Sequence, residues 1–118
     1  MINGKCHCGN IEIKISKLPE SVTNCNCSIC FRLGALWAHG SEVVEINFNE
    51  KPSSIYMWGD KYIEFHSCPN CGCTTHYKTT EKCNEQKTVV NSRMIDYKIM
   101  ESVKIKKFDG ADTWTFID

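Results

Sequence analysis

Polar and apolar residues alternate along much of the chain with a period of two. Ile11-Glu12-Ile13-Lys14-Ile15 is the sharpest instance, since it puts three isoleucines on one face of a strand. The pattern returns at Val44, Ile46 and Phe48, which alternate with Glu45 and Asn47, and at Ile63 and Phe65, set between Tyr62, Glu64 and His66. It returns again at Val103 and Ile105, set between Lys104 and Lys106. β-branched and aromatic content adds strands over Ser54 to Trp58 and Thr88 to Met94. Turn signals separate these runs: Leu18-Pro19-Glu20-Ser21, Asn49-Glu50-Lys51-Pro52-Ser53, Gly59-Asp60-Lys61 and Asp109-Gly110. An antiparallel β fold is expected. Helical pattern is scarce, with one short turn or two after Cys27, through Leu33, that Gly34 would end.

At 118 residues the chain is long enough for one domain and too short for two ordinary ones, so residues 1–118 are read as a single unit. Lys+Arg and Asp+Glu both count 14, a balance that points away from nucleic acid and from an anionic membrane surface. No basic segment followed by an apolar stretch opens the sequence, and no run approaches the roughly 18 apolar residues of a membrane span. A cytoplasmic location is therefore expected. In such a reducing compartment the nine cysteines would stay as thiols, which calls for a use other than disulfides.

Seven of the nine fall in three tight groups: Cys6-His7-Cys8-Gly9, Cys25-Asn26-Cys27-Ser28-Ile29-Cys30 and Cys68-Pro69-Asn70-Cys71-Gly72. Cysteines two or three positions apart on a tight turn can aim both sulfurs at one point, as a tetrahedral zinc ion requires. Cys68 and Cys71 read as such a knuckle between two extended segments. A thioredoxin-like redox pair would instead need the second cysteine to open a helix, and Gly72-Cys73-Thr74-Thr75 argues against one. A closed structural site needs four ligands, and Cys6 with Cys8 form the natural second pair. Cys25, Cys27 and Cys30 make three, one short of a closed site. That leaves two readings: an open position for water or substrate, or closure by Cys73, Cys83 or one of the four histidines. Cys73 is expected to pack as a small apolar group and Cys83 to be a surface thiol, while His7, His39, His66 and His76 read as ordinary strand or loop residues. Trp37, Trp58 and Trp114 read as core or pocket lining.

These groups, in this order from Gly4 to about Tyr77, resemble the family of glutathione-dependent formaldehyde-activating enzymes, which includes the centromere protein V-like proteins. The resemblance implies an all-β fold, an Mss4-like β-tent of antiparallel sheets stapled by zinc, with two Zn2+ per chain. It makes Cys6, Cys8, Cys68 and Cys71 the structural ligands, and Cys25, Cys27 and Cys30 the ligands of a second, catalytic-type zinc. The activity it implies is that of a carbon-sulfur lyase resembling S-hydroxymethylglutathione synthase, with a small thiol such as glutathione and formaldehyde or another small aldehyde as partners. A polar group should stabilise the developing alkoxide, and His39, Glu64, His66 and Arg32 are candidates by type. The rival reading is a non-catalytic zinc-stabilised β scaffold for a protein or small-molecule partner. Two positions depart from the family pattern: Asn26 stands where histidine is usual, and Ser67 where an aromatic residue is common. Beyond Tyr77 the chain carries no signature of its own.

Overall fold

The computed structural model describes residues 1–40 and 43–117, and its regular structure is mostly strand. A three-stranded antiparallel sheet takes the order β1 (Ile2–Lys5), β2 (Ile11–Ile15), β5 (Val44–Phe48). Its register sets Ile11 opposite Phe48, Ile13 opposite Ile46 and Ile15 opposite Val44. All three isoleucines of β2 are fully buried while Glu12 and Lys14 face solvent, as period-two alternation demands.

The second sheet has eight strands. Its order is β11 (Thr115–Phe116), β10 (Lys104–Asp109), β3 (Ser21–Cys25), β4 (Trp37–Ala38), β9 (Thr88–Asn91), β8 (Thr74–Thr79), β7 (Ile63–Ser67), β6 (Ser54–Tyr56). Every pair is antiparallel except β3 with β10, which run parallel. That pairing carries the C-terminal segment back alongside Cys25, opposite Phe108. The main core is made by Ile13 and Ile15 of the smaller sheet with Val22, Ala38 and Val90 of the larger one, closed by Ile95 and Val103.

Several elements differ from the periodicity reading for local reasons. The strand expected over Ser54 to Trp58 ends at Tyr56, ahead of the turn at Gly59-Asp60. The strand expected over Thr88 to Met94 stops at Asn91, whose side-chain oxygen accepts from the Arg93 amide at 3.1 Å and turns residues 92–94 into a 3-10 helix. Along β7 both faces are covered, so His66, on the nominally polar face, is buried and stacks on His76 at 4.4 Å. The one expected helix is present as α1 (Ser28–Leu33), capped by Cys27 and ended by Gly34. A single further turn, α2 (Tyr97–Met100), precedes β10.

Candidate metal centres and the cavity beside one of them

Two turns bring four cysteines together. Cys6 and Cys8 lie in the turn from β1 to β2, where the Gly9 amide bonds the Cys6 carbonyl at 3.0 Å; Cys68 and Cys71 lie in the turn from β7 to β8, where the Gly72 amide bonds the Cys68 carbonyl at 2.9 Å. Both glycines take positive φ, 84° and 81°, which a side chain would resist. The first turn belongs to the smaller sheet and the second to the larger, so the cluster joins the two sheets. A tetrahedral ion with Zn–S near 2.3 Å sets its sulfurs about 3.8 Å apart. The Cys6–Cys8 and Cys8–Cys68 sulfurs are 3.8 and 3.6 Å apart, and all four lie within 4.8 Å of one another. The donor set and spacing fit zinc.

The surroundings prepare this cluster for charge. Amides of Ile11 and Asn70 donate to the sulfurs of Cys6 and Cys68 at 3.3 and 3.4 Å, and the buried Asn10 amide donates to Cys68 at 3.5 Å. Desolvation opposes ionisation of Cys71, yet amide donors and neighbouring thiols bring it down to about 6. Cys8 is pushed up to about 11: the Asn10 amide lowers it, but desolvation and hydrogen bonding with Cys68, Cys6 and Cys71 outweigh that amide. Four thiols this close cannot all ionise unless a cation sits among them. Asn10 also receives the Glu50 and Lys51 amides at 2.7 and 2.9 Å, which ties the segment leading to β6 to the cluster. Sequence reading missed Asn10; its only signal was its place directly after the Cys-Gly turn.

The second cluster draws Cys25 from the end of β3, Cys27 from the cap of α1 and Cys30 from its first turn, again with sulfurs within 4.8 Å. Among the described residues it numbers three ligands. The Cys27 amide donates to Cys25 at 3.5 Å, the Cys30 amide to Cys27 at 3.4 Å, and the Trp37 indole N–H to Cys30 at 3.3 Å. Burial raises the thiols of Cys25 and Cys30; Cys27 is also opposed by burial, but the Cys30 amide and side chain bring it down. Three soft sulfur donors bathed in N–H groups also suit zinc.

Of the residues named as possible closing ligands, Cys73 packs instead with Cys6, Ile11 and Cys68, at the first cluster, as its apolar reading expected. Cys83 is a free, half-buried thiol that bonds the Tyr62 carbonyl at 3.4 Å in a solvent-exposed contact. All nine cysteines are free, and Cys71 opens no helix.

What adjoins the three-cysteine cluster is a cavity of about 780 Å3. Its floor is Trp37, Phe65 and Tyr77, with Trp37 and Tyr77 edge-to-face at 4.8 Å. One wall is residues 58–63, held by the Thr80 and Cys83 bonds to the Lys61 and Tyr62 carbonyls. The other is the β10–β11 hairpin, where Trp114 and Phe116 pack edge-on to Phe108 at 5.1 and 5.0 Å. Gly110 sits so close that a Cβ there would lie 2.6 Å from the Cys25 sulfur.

Asn26 explains how the hairpin is held. Its amide nitrogen donates to Asp109 at 3.0 Å, its oxygen accepts from the Ala111 amide at 3.0 Å, and its backbone N–H bonds the Phe108 carbonyl. The C-terminal segment, without a signature in the sequence, thus supplies one wall. The signal available was the aromatic density of Phe108, Trp114 and Phe116 around the Asp109-Gly110 turn.

Of the alkoxide candidates, His39 lines the cavity as an exposed residue; desolvation first and the Lys87 ammonium second hold its imidazole below the ordinary range. Glu64 and His66 occupy the opposite face of β7 from Phe65 and bond each other at 3.2 Å. Arg32 is exposed, with its guanidinium on the Ser28 carbonyl. These three are therefore set aside. Trp58 and Trp114 line the cavity as Trp37 does, in line with their reading as lining residues.

No helix among the described residues is long and apolar enough to cross a membrane. No curated protein matches the chain. A crystal structure of a Rhodobacter sphaeroides protein superposes with a TM-score of 0.68 at 24% identity, covering 88% of this chain and 99% of that one, and shares the fold. Residues 1–108 match the family described as glutathione-dependent formaldehyde-activating enzyme, a span that takes in both cysteine clusters and the start of the hairpin, and the chain belongs to that family.

Proposed function

We propose that the protein is a zinc-dependent carbon-sulfur lyase and adduct-forming enzyme that joins a small thiol such as glutathione to formaldehyde or another small aldehyde, and runs the reverse reaction. Cys6, Cys8, Cys68 and Cys71 hold a structural zinc; Cys25, Cys27 and Cys30 hold a second, with one position left for substrate. The observation that carries this reading is that three converging sulfurs, with no fourth ligand among the described residues, border a cavity large enough for an organic substrate. Residues 1–108, which match the family, include all seven ligands. The free thiols fit a reducing, cytoplasmic setting, and residues 1–118 are taken as a single unit.

Cys25, Cys27 and Cys30 would hold the second zinc, which when bound would supply Lewis-acid chemistry favouring the ionised form of a thiol at neutral pH. The chain does the rest. Trp37 fixes Cys30 through its indole N–H, and Gly110 leaves the Cys25 sulfur uncrowded. Aromatic walls exclude water around the carbonyl, so dipoles there act at low dielectric. Tyr77 lines the cavity, and burial holds its phenol well above the ordinary range. It therefore stays a hydroxyl donor through the reaction and suits the developing alkoxide.

The test is a titration of zinc-replete protein with glutathione and formaldehyde, followed by proton NMR for S-hydroxymethylglutathione. Two zinc ions per chain and exchange faster than the spontaneous reaction are expected. One zinc per chain with no acceleration would remove the proposal.

A further inference from the structure

The cavity is far larger than formaldehyde and far less polar than glutathione. Liquid water takes about 30 Å3 per molecule, and formaldehyde has only one heavy atom more. At about 780 Å3 the cavity instead falls within the range of roughly 300–1,000 Å3 found for drug-sized ligands. Eight aromatic side chains contribute to its lining, counted from Trp37, Trp58, Tyr62, Phe65, Tyr77, Phe108, Trp114 and Phe116. Among the described lining residues the only acid and strong base are Asp60 and Lys61, adjacent in sequence. Glutathione brings two carboxylates and an ammonium. Burying them here would leave at least one carboxylate without a cation, a cost that apolar walls do not offset.

The rim carries the same message. Trp58, Tyr62, Trp114 and Phe116 are 48%, 49%, 71% and 54% exposed, so four aromatic faces meet water around one opening. Trp114 does so from a left-handed backbone, φ 58°, a conformation costly for a bulky residue. Contiguous exposed aromatics around a cleft mark a place where apolar ligand surface belongs.

We infer that the organic group this cavity accepts is an apolar ring of aromatic size, carried on the carbonyl partner, so that the preferred aldehyde is aromatic and formaldehyde is a poor fit. This inference rests on the function proposed above and names its substrate class. The thiol's polar remainder stays in water at the mouth. The balance is simple: the thiol sulfur forms a bond to the aldehyde carbon, the C=O π bond breaks, and the thiol proton ends on oxygen to give a thiohemiacetal. No electron donor or acceptor enters.

The experiment uses the full chain loaded with zinc, glutathione as thiol, and benzaldehyde against formaldehyde. Thiohemiacetal exchange is measured by NMR, and benzaldehyde is titrated alone against the tryptophan indole signals. Benzaldehyde should exceed formaldehyde in kcat/KM by about 10-fold or more, the order of discrimination that burial of a ring in an apolar pocket supplies. It should shift the indole signals saturably, and Trp114→Ala and Phe116→Ala should each shrink the benzaldehyde-to-formaldehyde ratio. Formaldehyde turned over at least as fast as benzaldehyde, with indole signals unmoved, overturns the inference and leaves the enzyme reading standing. No turnover of either aldehyde, with saturable indole shifts by benzaldehyde, sinks the enzyme reading and sustains the cavity's ligand class. Absence of both turnover and binding overturns the two together.

Discussion

The four-cysteine and three-cysteine clusters use one ligand type on different ground. The first sits where turns of two separate sheets meet, with Cys6 and Cys68 wholly buried and Asn10 bonding across to Cys68. The second lies within one sheet, on the end of β3 and the first turn of a single short helix, and opens on a cavity. A metal that joins two sheets adds a cross-link to the small core of a chain of this size; a metal held by one local segment beside a cavity stabilises less and can spare a coordination position for chemistry.

The sharpest way to break this contrast is to remove one ligand from each. Structural zinc contributes an apparent ~10–16 kcal/mol in small peptides, as much as a whole domain's stability of about 5–15 kcal/mol. Cys6→Ser is therefore expected to abolish cooperative unfolding by circular dichroism. Cys27→Ser should leave a folded protein with one zinc instead of two and thiol-aldehyde exchange at the spontaneous rate. If Cys27→Ser unfolds the chain as fully as Cys6→Ser, the division of labour is wrong.

A milder probe of the second site is Gly110→Ala, whose new Cβ would press on the Cys25 sulfur. Displacing a supporting contact of a metal ligand typically weakens binding about 10–100-fold. Competition with a chromophoric chelator should show that loss for one zinc and none for the other. Equal weakening of both, or of neither, would deny Gly110 its place at the second site.

The frame around the first site has its own pH signature. His76 is fully buried on β8, its Nε2 has no partner, and desolvation first, then the charges of His66 and Lys78, lowers its pKa to about 3. A histidine depressed on folding is protonated more readily in the unfolded chain. Stability is then full above pH 6.5 and falls as pH drops from there towards the folded value, by about 2 kcal/mol between pH 7 and 5. Urea unfolding in excess zinc should show that slope in the parent and a flatter one in His76→Gln. An equal slope in both would place the proton elsewhere.

The contrast between the clusters also explains what the sequence disclosed. The cysteine spacings and the alternation of Ile11 to Ile15 are local patterns whose meaning does not depend on the rest of the chain. Both survive intact in the structure, as does the helix between Cys27 and Gly34. The cavity is not local. Gly59-Asp60-Lys61 and Asp109-Gly110 read only as turns, and Trp58 and Trp114 as lining of an unspecified core or pocket; they become facing walls because β10 joins β3 in parallel and β7 joins β8. The parallel pairing in particular has no sequence cue, since alternation fixes which side chains share a face and not which strand lies alongside. Asn26 is the instructive residue: it stands out in the sequence only as a departure from the family pattern, yet in space it is the peg of the hairpin.

That peg gives the smallest expected effect. Asp109 accepts from Asn26 with one oxygen and from the Thr113 amide and hydroxyl with the other, and these bonds, Asn26 first, hold its carboxyl below the usual range. Asparagine at this position keeps the shape but replaces one acceptor oxygen with a donor, so Asp109→Asn loosens the turn that carries Gly110 while leaving both knuckles alone. Hydrogen exchange should then quicken at the Ala111 amide, which Asn26 holds, and stay unchanged at the Gly9 and Gly72 amides. For a depressed carboxylate the contribution is present above the unfolded value of 3.8 and lost as pH falls through the folded one. The difference between parent and variant should accordingly be constant from about pH 5 to 8 and close only in acid. Faster exchange at Gly72 as well would mean that the cavity wall and the inter-sheet staple are one mechanical unit, and the two clusters would no longer be separable in function.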